Sequence, residues 1–398
     1  MRSLMLYLLF DAMREWLSRV GLYSVFGVMD QIQFRALLAA GLSFGIVIAL
    51  GKRTIRFLVS LKIGDGGESD AEVLRAHAKS KANVPTMGGV LICGSIFAST
   101  FLLADITVPV VFLGLFVLVW LACVGGADDW LKLTAARRGT GRQGLKSWEK
   151  LVFQLGVGLL AGYFAYRFAI NEFGPSLGHV LNLPFQRTFV PGQWIVNPSL
   201  IYLSMPVFVV LAVLMIAGMS NAVNITDGMD GLAGGISCVV SFALLVLTLI
   251  AGSEQWSQML LLPHVARSDE LAVLSGSMAG ACLGFLWWNA APAQVFMGDT
   301  GSLALGGLIG YIAMVIRQEV VVLIMCGVFL LEIASVVMQV GWFKYTRIKT
   351  GTGRRIFRVA PYHHHLHLGG WAENQVVVRL WILAILLCVV ALATLKLR

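Results

Sequence analysis

Apolar runs recur along this chain at intervals close to the roughly 20 residues a helix needs to cross a bilayer core, and Gly or charged residues interrupt them. Transmembrane strands would instead show short segments of alternating character. The pattern predicts ten helical spans, near 34 to 51, 88 to 104, 107 to 125, 151 to 169, 200 to 218, 232 to 252, 271 to 289, 302 to 317, 320 to 342 and 377 to 395. The shorter run from Met1 to Phe10 is followed by Asp11, Arg14 and Glu15 rather than a small-residue cleavage site, so it reads as an uncleaved amphipathic lead-in. Composition agrees. With 58% hydrophobic and 13% charged residues over 398 positions, the chain is too apolar for a soluble domain of this size, and it is expected to form one all-α, polytopic integral membrane domain over 1–398.

Basic residues set the orientation. Numbering loops by the spans they join, the first (52 to 87) holds seven Lys or Arg, the third (126 to 150) six and the ninth (343 to 376) six, which is 19 of the 30 in the chain. The even loops hold Arg187, Arg267 and little else, so the positive-inside rule places the odd loops in the cytoplasm and both termini outside. Much of the basic excess serves topology and attraction to anionic membrane lipids. The six cysteines, at 93, 123, 238, 282, 326 and 388, fall in apolar spans with no CxxC pair and read as packing residues.

A second signal falls on the same side. Asp128 and Asp129 lie in the third loop, Asn221, Asn224, Asp227 and Asp230 in the fifth, Asn289 and Asp299 in the seventh, and His363, His364, His365 and His367 in the ninth. The fifth and seventh loops carry no Lys or Arg, so this placement is independent of the charge count. Acids at membrane helix ends are costly unless paired, hydrated or metal-bound, and their convergence on one face predicts a site.

Each cluster has its own chemistry. Adjacent carboxylates at Asp128 and Asp129 repel unless a cation or a proton lies between them, and Lys132 stands about one helical turn away to pair with them or with a phosphate. Asn224, Asp227 and Asp230 recur every three residues, which on a helix gives one acidic face, while Gly228 and Gly231 permit a break or close backbone approach. Asp299 or Thr300 suits an N-cap, but a hard cation such as Mg²⁺ takes one or two carboxylates and completes its shell with water and phosphate, which fits Asp299 beside a diphosphate. Three consecutive histidines cannot all point one way; zinc ligation is one reading of them, and phosphate or uridine contact is the favoured one. Glu332, mid-span, is either functional or a buried structural hydrogen-bond partner. The chain has no P-loop, dinucleotide fingerprint or nucleic-acid module, so ATP hydrolysis and nucleic-acid partners are not indicated. A secondary transporter is disfavoured because no internal repeat is visible and the acids lie at span ends.

The chain resembles the bacterial phospho-N-acetylmuramoyl-pentapeptide-transferases, of the polyprenyl-phosphate N-acetylhexosamine-1-phosphate transferase superfamily. The resemblance is carried by Pro85-Thr-Met-Gly-Gly, Asp128-Asp129, Asn221-Ala-Val-Asn-Ile-Thr-Asp-Gly-Met-Asp-Gly-Leu, Phe296-Met-Gly-Asp-Thr-Gly-Ser-Leu-Ala-Leu-Gly and Ala360-Pro-Tyr-His-His-His. It implies transfer of phospho-MurNAc-pentapeptide from its UDP carrier to undecaprenyl phosphate with Mg²⁺, releasing UMP and forming lipid I in the bacterial cytoplasmic membrane, by a chain expected to form a homodimer. It places Asp128, Asp129 and Asp299 as catalytic residues, Asp299 and Asp227 toward the metal, and Lys81, Thr86, Lys132, Asn224, Asp227, Asp230, Asn289, Phe296, His363, His364 and His365 around the substrates. Related GlcNAc-1-phosphate transferases share the acidic motifs, whereas three histidines after Ala-Pro-Tyr favour the muramoyl branch. Lys146 and Lys150 compete for one basic position, and direct in-line attack competes with a covalent intermediate on Asp128.

Overall fold

The computed structural model describes residues 6–60, 84–138, 144–169, 176–193 and 195–395, with the side chains of 135–138 excepted. Lys81 lies outside the described residues. An amphipathic helix, α1 (Leu6–Arg19), precedes the bundle and buries Phe10 and Leu17, as the lead-in pattern predicts. The bundle then comprises α2 (Ile32–Ser60), α3 (Gly89–Leu103), α4 (Pro109–Arg138), α5 (Ser147–Phe168), α6 (Met205–Thr226), α7 (Leu232–Gly252), α8 (Leu271–Asn289), α9 (Gly298–Val315), α10 (Glu319–Met325), α11 (Gly327–Thr350), the short α12 (Tyr362–His367) and α13 (Glu373–Thr394). Nine of these described helices are long and apolar enough to span a membrane, and α3 is a shorter apolar helix. Among the described residues the only β structure is two isolated bridges, Val180 with Tyr202 and Phe189 with Val196. The protein is an all-α multi-pass membrane protein.

Three expectations are corrected. The predicted span 320–342 is two helices, α10 and α11, broken at Cys326, where a continuous apolar run gave no sign of a turn. The third span does not stop at residue 125: residues 127–138 hold no Gly or Pro to end the helix, and α4 continues to Arg138, so Asp128 and Asp129 sit within a helix. The acidic face expected from Asn224, Asp227 and Asp230 does not form, because α6 ends at Thr226 and the next five residues are a turn closed by Gly231 at φ +76°.

Helix α9 is the centre of the bundle, with every residue from Asp299 to Val315 buried. It lies against α4, α6 and α3. Close approach depends on missing side chains: a Cβ on Gly306 or Gly310 would stand 2.3 Å from the carbonyl oxygen of Met219 or Met215 in α6. Likewise α8 meets α2 where a Cβ on Gly276 or Gly280 would stand 2.3 or 1.9 Å from the carbonyl oxygens of Ala36 and Ala40. Small residues at four-residue spacing let helix backbones touch where no hydrophobic force drives them together.

The two ends of the bundle differ chemically. At the end carrying the even loops, Arg35 donates to Glu270 at 2.6 and 2.9 Å and to Leu103 O at 3.1 Å, while its guanidinium lies 3.8 Å from the Tyr7 ring centroid. Arg267 pairs with Asp105 at 2.6 Å, and Arg317 with Glu319 at 2.7 Å. The buried Arg35–Glu270 and Arg317–Glu319 pairs and the exposed Arg267 on Asp105 tie α1, α2, α3 and α8 together and pin the end of α9 to the loop at Val180, whose carbonyl accepts from Arg317 Nε at 2.9 Å. Burial pushes the Glu319 carboxyl up against the opposing pull of Arg317.

Candidate active site

The predicted polar clusters meet at the other end of the bundle. Asp128 and Asp129 of α4 and Asp299 at the start of α9 each present an oxygen within 4.8 Å of the others, and all three are buried. Repulsion among them is met by two ammonium groups. Lys132 Nζ lies 2.7 Å from Asp128 Oδ2, one turn away on the same helix, and 3.4 Å from Asp299 Oδ2. Lys150 Nζ, from the first turn of α5, lies 2.8 Å from Asp128 Oδ2 and 2.5 Å from Asp299 Oδ2. The choice between the two α5-end lysines is thus made by geometry: Lys150 enters the site, and exposed Lys146 stands at the helix N-cap.

The three aspartates are not equivalent. Asp129 Oδ1 accepts from Asp299 N at 3.1 Å, and its Oδ2 accepts from Thr300 N at 3.0 Å and Thr300 Oγ1 at 2.7 Å. It caps the N-terminus of α9 from a different helix, so neither Asp299 nor Thr300 needs to cap its own. Asp128 Oδ1 accepts from Leu145 N at 2.7 Å, which ties the residues just before α5 to the site. Its Oδ2 faces both lysines. Asp299 keeps Oδ2 on the lysines, and its Oδ1 accepts from Asn224 Nδ2 at 2.9 Å. The same amide donates to Ser302 Oγ at 2.9 Å, so Asn224 holds Asp299 against α9. Ser302 was missed in the sequence, although its position three residues after Asp299 puts it on the same helical face.

The remaining candidates divide between the cluster and its supports. Asp227 ends α6 beside the cluster, and burial, reinforced by the negative charges of Asp299 and Asp129, pushes its carboxyl up to about 7. It is not among the three mutually close carboxylates. Asp230 points elsewhere, accepting from Ala293 N at 3.0 Å. Asn289 accepts from Gly231 N at 3.0 Å and donates to Val295 O at 2.8 Å. Both therefore fasten the fifth loop to the seventh. Phe296 and Thr86 are half-buried on adjoining segments, joined where Phe296 N donates to Pro85 O at 2.9 Å and Gly88 N to Phe296 O at 2.8 Å. The histidines diverge, as their spacing requires. His363 turns inward to Glu332, His364 packs on it with ring centroids 4.2 Å apart, and His365 Nδ1 accepts from Arg358 N at 3.1 Å.

A multi-helix membrane scaffold holding carboxylates and lysines at one end is the architecture of an enzyme that handles phosphate groups at a membrane surface. Residues 110–317 match the model of Glycosyl transferase family 4, and residues 81–93 match the phospho-N-acetylmuramoyl-pentapeptide-transferase signature 1. The relatives named phospho-N-acetylmuramoyl-pentapeptide-transferase include one from Desulfotalea psychrophila, 42% identical over 94% of this chain and 97% of its own length. Those from Chlorobaculum tepidum and Chloroherpeton thalassium are 40% and 38% identical over 99% of this chain and all of theirs. The chain belongs to the phospho-N-acetylmuramoyl-pentapeptide-transferase family.

Proposed function

We propose that this protein transfers phospho-MurNAc-pentapeptide from UDP-MurNAc-pentapeptide to undecaprenyl phosphate, releasing UMP and forming lipid I at the cytoplasmic face of the bacterial inner membrane. The observation that carries the reading is the buried Asp128–Asp299 pair bridged by Lys132 and Lys150. Counted with Asp129, the cluster holds three carboxylates and two ammonium groups. A diphosphate entering it adds further negative charge, which calls for a cation.

The donor set fits Mg²⁺, since it consists of hard carboxylate oxygens and contains no thiolate. Asp129 has both oxygens on backbone and hydroxyl donors of α9, whereas Asp299 Oδ2 and Asp128 Oδ2 meet only the lysine ammonium groups, so Asp299 and Asp128 are the residues that would hold the ion in exchange for those contacts, with Asp227, the other expected ligand, on the turn that follows α6. When bound, Mg²⁺ would neutralise charge on the diphosphate as the bond to UMP breaks. The protein's own part is positioning. Lys150 and Lys132 draw phosphate oxygens toward Asp128, and Asp128 orients the lipid phosphate for in-line attack on the phosphorus bonded to the sugar. Asn224 and Asp129 keep Asp299 in place.

Purified protein given UDP-MurNAc-pentapeptide and undecaprenyl phosphate is expected to release UMP only when Mg²⁺ is present. UMP release from UDP-GlcNAc at an equal rate would assign the chain to the GlcNAc-1-phosphate branch instead.

A further inference from the structure

Glu332 lies within membrane helix α11 and is fully buried, yet among the described residues its carboxylate is used by only one neighbour. Its Oε2 accepts from the backbone N of His363 at 3.2 Å and faces the ring Nδ1 of the same residue at 3.1 Å. Oε1 has no hydrogen-bond partner among the described residues. An acid in the hydrocarbon region is costly and persists where a specific partner uses it. An ionised Glu332 can only accept, which puts the ring hydrogen on Nδ1 and fixes both the rotation of the imidazole and the direction of Nε2.

That second nitrogen is the informative atom. His363 is fully buried, and its Nε2 has no hydrogen-bond partner among the described residues. A ring present only to pack would not leave a buried nitrogen unpaired. Nε2 abuts the turn after α6: a Cβ on Gly228, the residue after Asp227, would stand 2.5 Å from it. Gly228 thus gives the imidazole edge its place against the turn that carries Asp227.

We propose that Glu332 is a positioning residue that holds His363 through Nδ1, so that Nε2 meets a phosphate oxygen of the nucleotide-linked donor at the Asp227–Gly228 turn. The pair works as the carboxylate–imidazole couples of other enzymes do, with the acid orienting a ring that touches substrate. This rests on the transfer reaction proposed above. It also gives the broken ninth span a role, since the break at Cys326 lets α11 start afresh at Gly327, five residues before Glu332.

The test is a double-mutant cycle on the full-length protein in detergent. Glu332→Gln keeps the side-chain volume, and His363→Asn keeps a donor near the Nδ1 position while removing Nε2. Each single substitution is expected to lower kcat/KM by about 10- to 100-fold, with the larger part in kcat. Adding Glu332→Gln to His363→Asn should cost less than about twofold more, because Glu332 acts only through the ring. A Glu332→Gln protein with wild-type kcat/KM overturns the proposal, as does a loss of equal size in both backgrounds accompanied by a lower melting temperature. Wild-type UMP release is measured first. If it is absent, the reaction assignment fails, and the cycle is then read as affinity for UDP by calorimetry, where a loss confined to the His363 background supports the pair and equal losses in both backgrounds overturn it.

Discussion

Asp129→Ala and Asp129→Asn separate a positional role from a chemical one. In the native structure the Asp129 carboxylate receives Asp299 N, Thr300 N and Thr300 Oγ1 at 3.1, 3.0 and 2.7 Å. Alanine leaves two buried backbone N–H groups at the start of α9 without acceptors. At roughly 1–3 kcal/mol for each buried donor left unsatisfied, and allowing for partial replacement by water, the loss should be about 2–4 kcal/mol of stability. Asparagine keeps one acceptor oxygen but turns its NH2 toward the other buried N–H, and should lose about 1–2 kcal/mol. Activity should follow geometry. Asp299 is the first residue whose backbone Asp129 fixes, and a displacement of about 1 Å at a reacting centre costs on the order of 100-fold. Thermal unfolding in detergent and UMP release, measured on both variants, give the two readouts. Asp129→Ala should lose stability and roughly two orders of magnitude in kcat, while Asp129→Asn retains much more of both. An Asp129→Asn protein as stable as wild type but without activity would refute this reasoning, since the carboxylate charge would then be needed in the chemistry itself.

Lys150→Met should reduce kcat/KM by at least about 100-fold, because it removes a cation held between two buried carboxylates, whereas exposed Lys146→Ala should stay close to wild type; parallel UMP assays decide between them. Gly280→Leu should abolish the folded, monodisperse protein and Gly280→Ala should lower stability by about 1–3 kcal/mol, because even one added carbon meets the Ala40 carbonyl; unchanged size-exclusion profiles and melting temperatures would contradict the packing. His179, stacked on Tyr166 at 3.9 Å, has its pKa lowered by burial, so the fold favours the neutral ring: stability is fully present above the unfolded value near ~6.5 and is lost as pH falls through the folded value. Melting temperatures at pH 8 and pH 5 should therefore differ more for wild type than for His179→Gln.

Membrane helices were legible because their apolar runs are long, and the shared face of the polar loops was legible because lysine and arginine counts alternate with loop number. Helix ends were not, since the hydrocarbon boundary and the hydrogen-bonded end of a helix are different physical limits. Hence α4 runs well past Gly125-Gly126, and the break at Cys326 passes inside an apolar run. Within the site, motifs brought forward Asp128, Asp299, Lys132 and Asn224, but the division of labour depends on contacts between distant residues. Asp129 differs from Asp128 only in where α9 lies, Asp230 and Asn289 serve the loops rather than the cluster, and the link from Glu332 to His363 spans 31 positions. Spacing in sequence cannot show such pairings, because they arise when α9, α6 and α11 pack.

The central claim is that Asp299 and Asp128 hold the cation that permits phosphoryl transfer, and a Mg²⁺ titration of UMP release in wild type and Asp299→Asn tests it most directly. Wild type should be silent without the ion and saturate as it is added, while Asp299→Asn should lose at least about 100-fold in kcat and require much more Mg²⁺ to reach its own maximum. An Asp299→Asn protein with wild-type activity and the same Mg²⁺ dependence would contradict it.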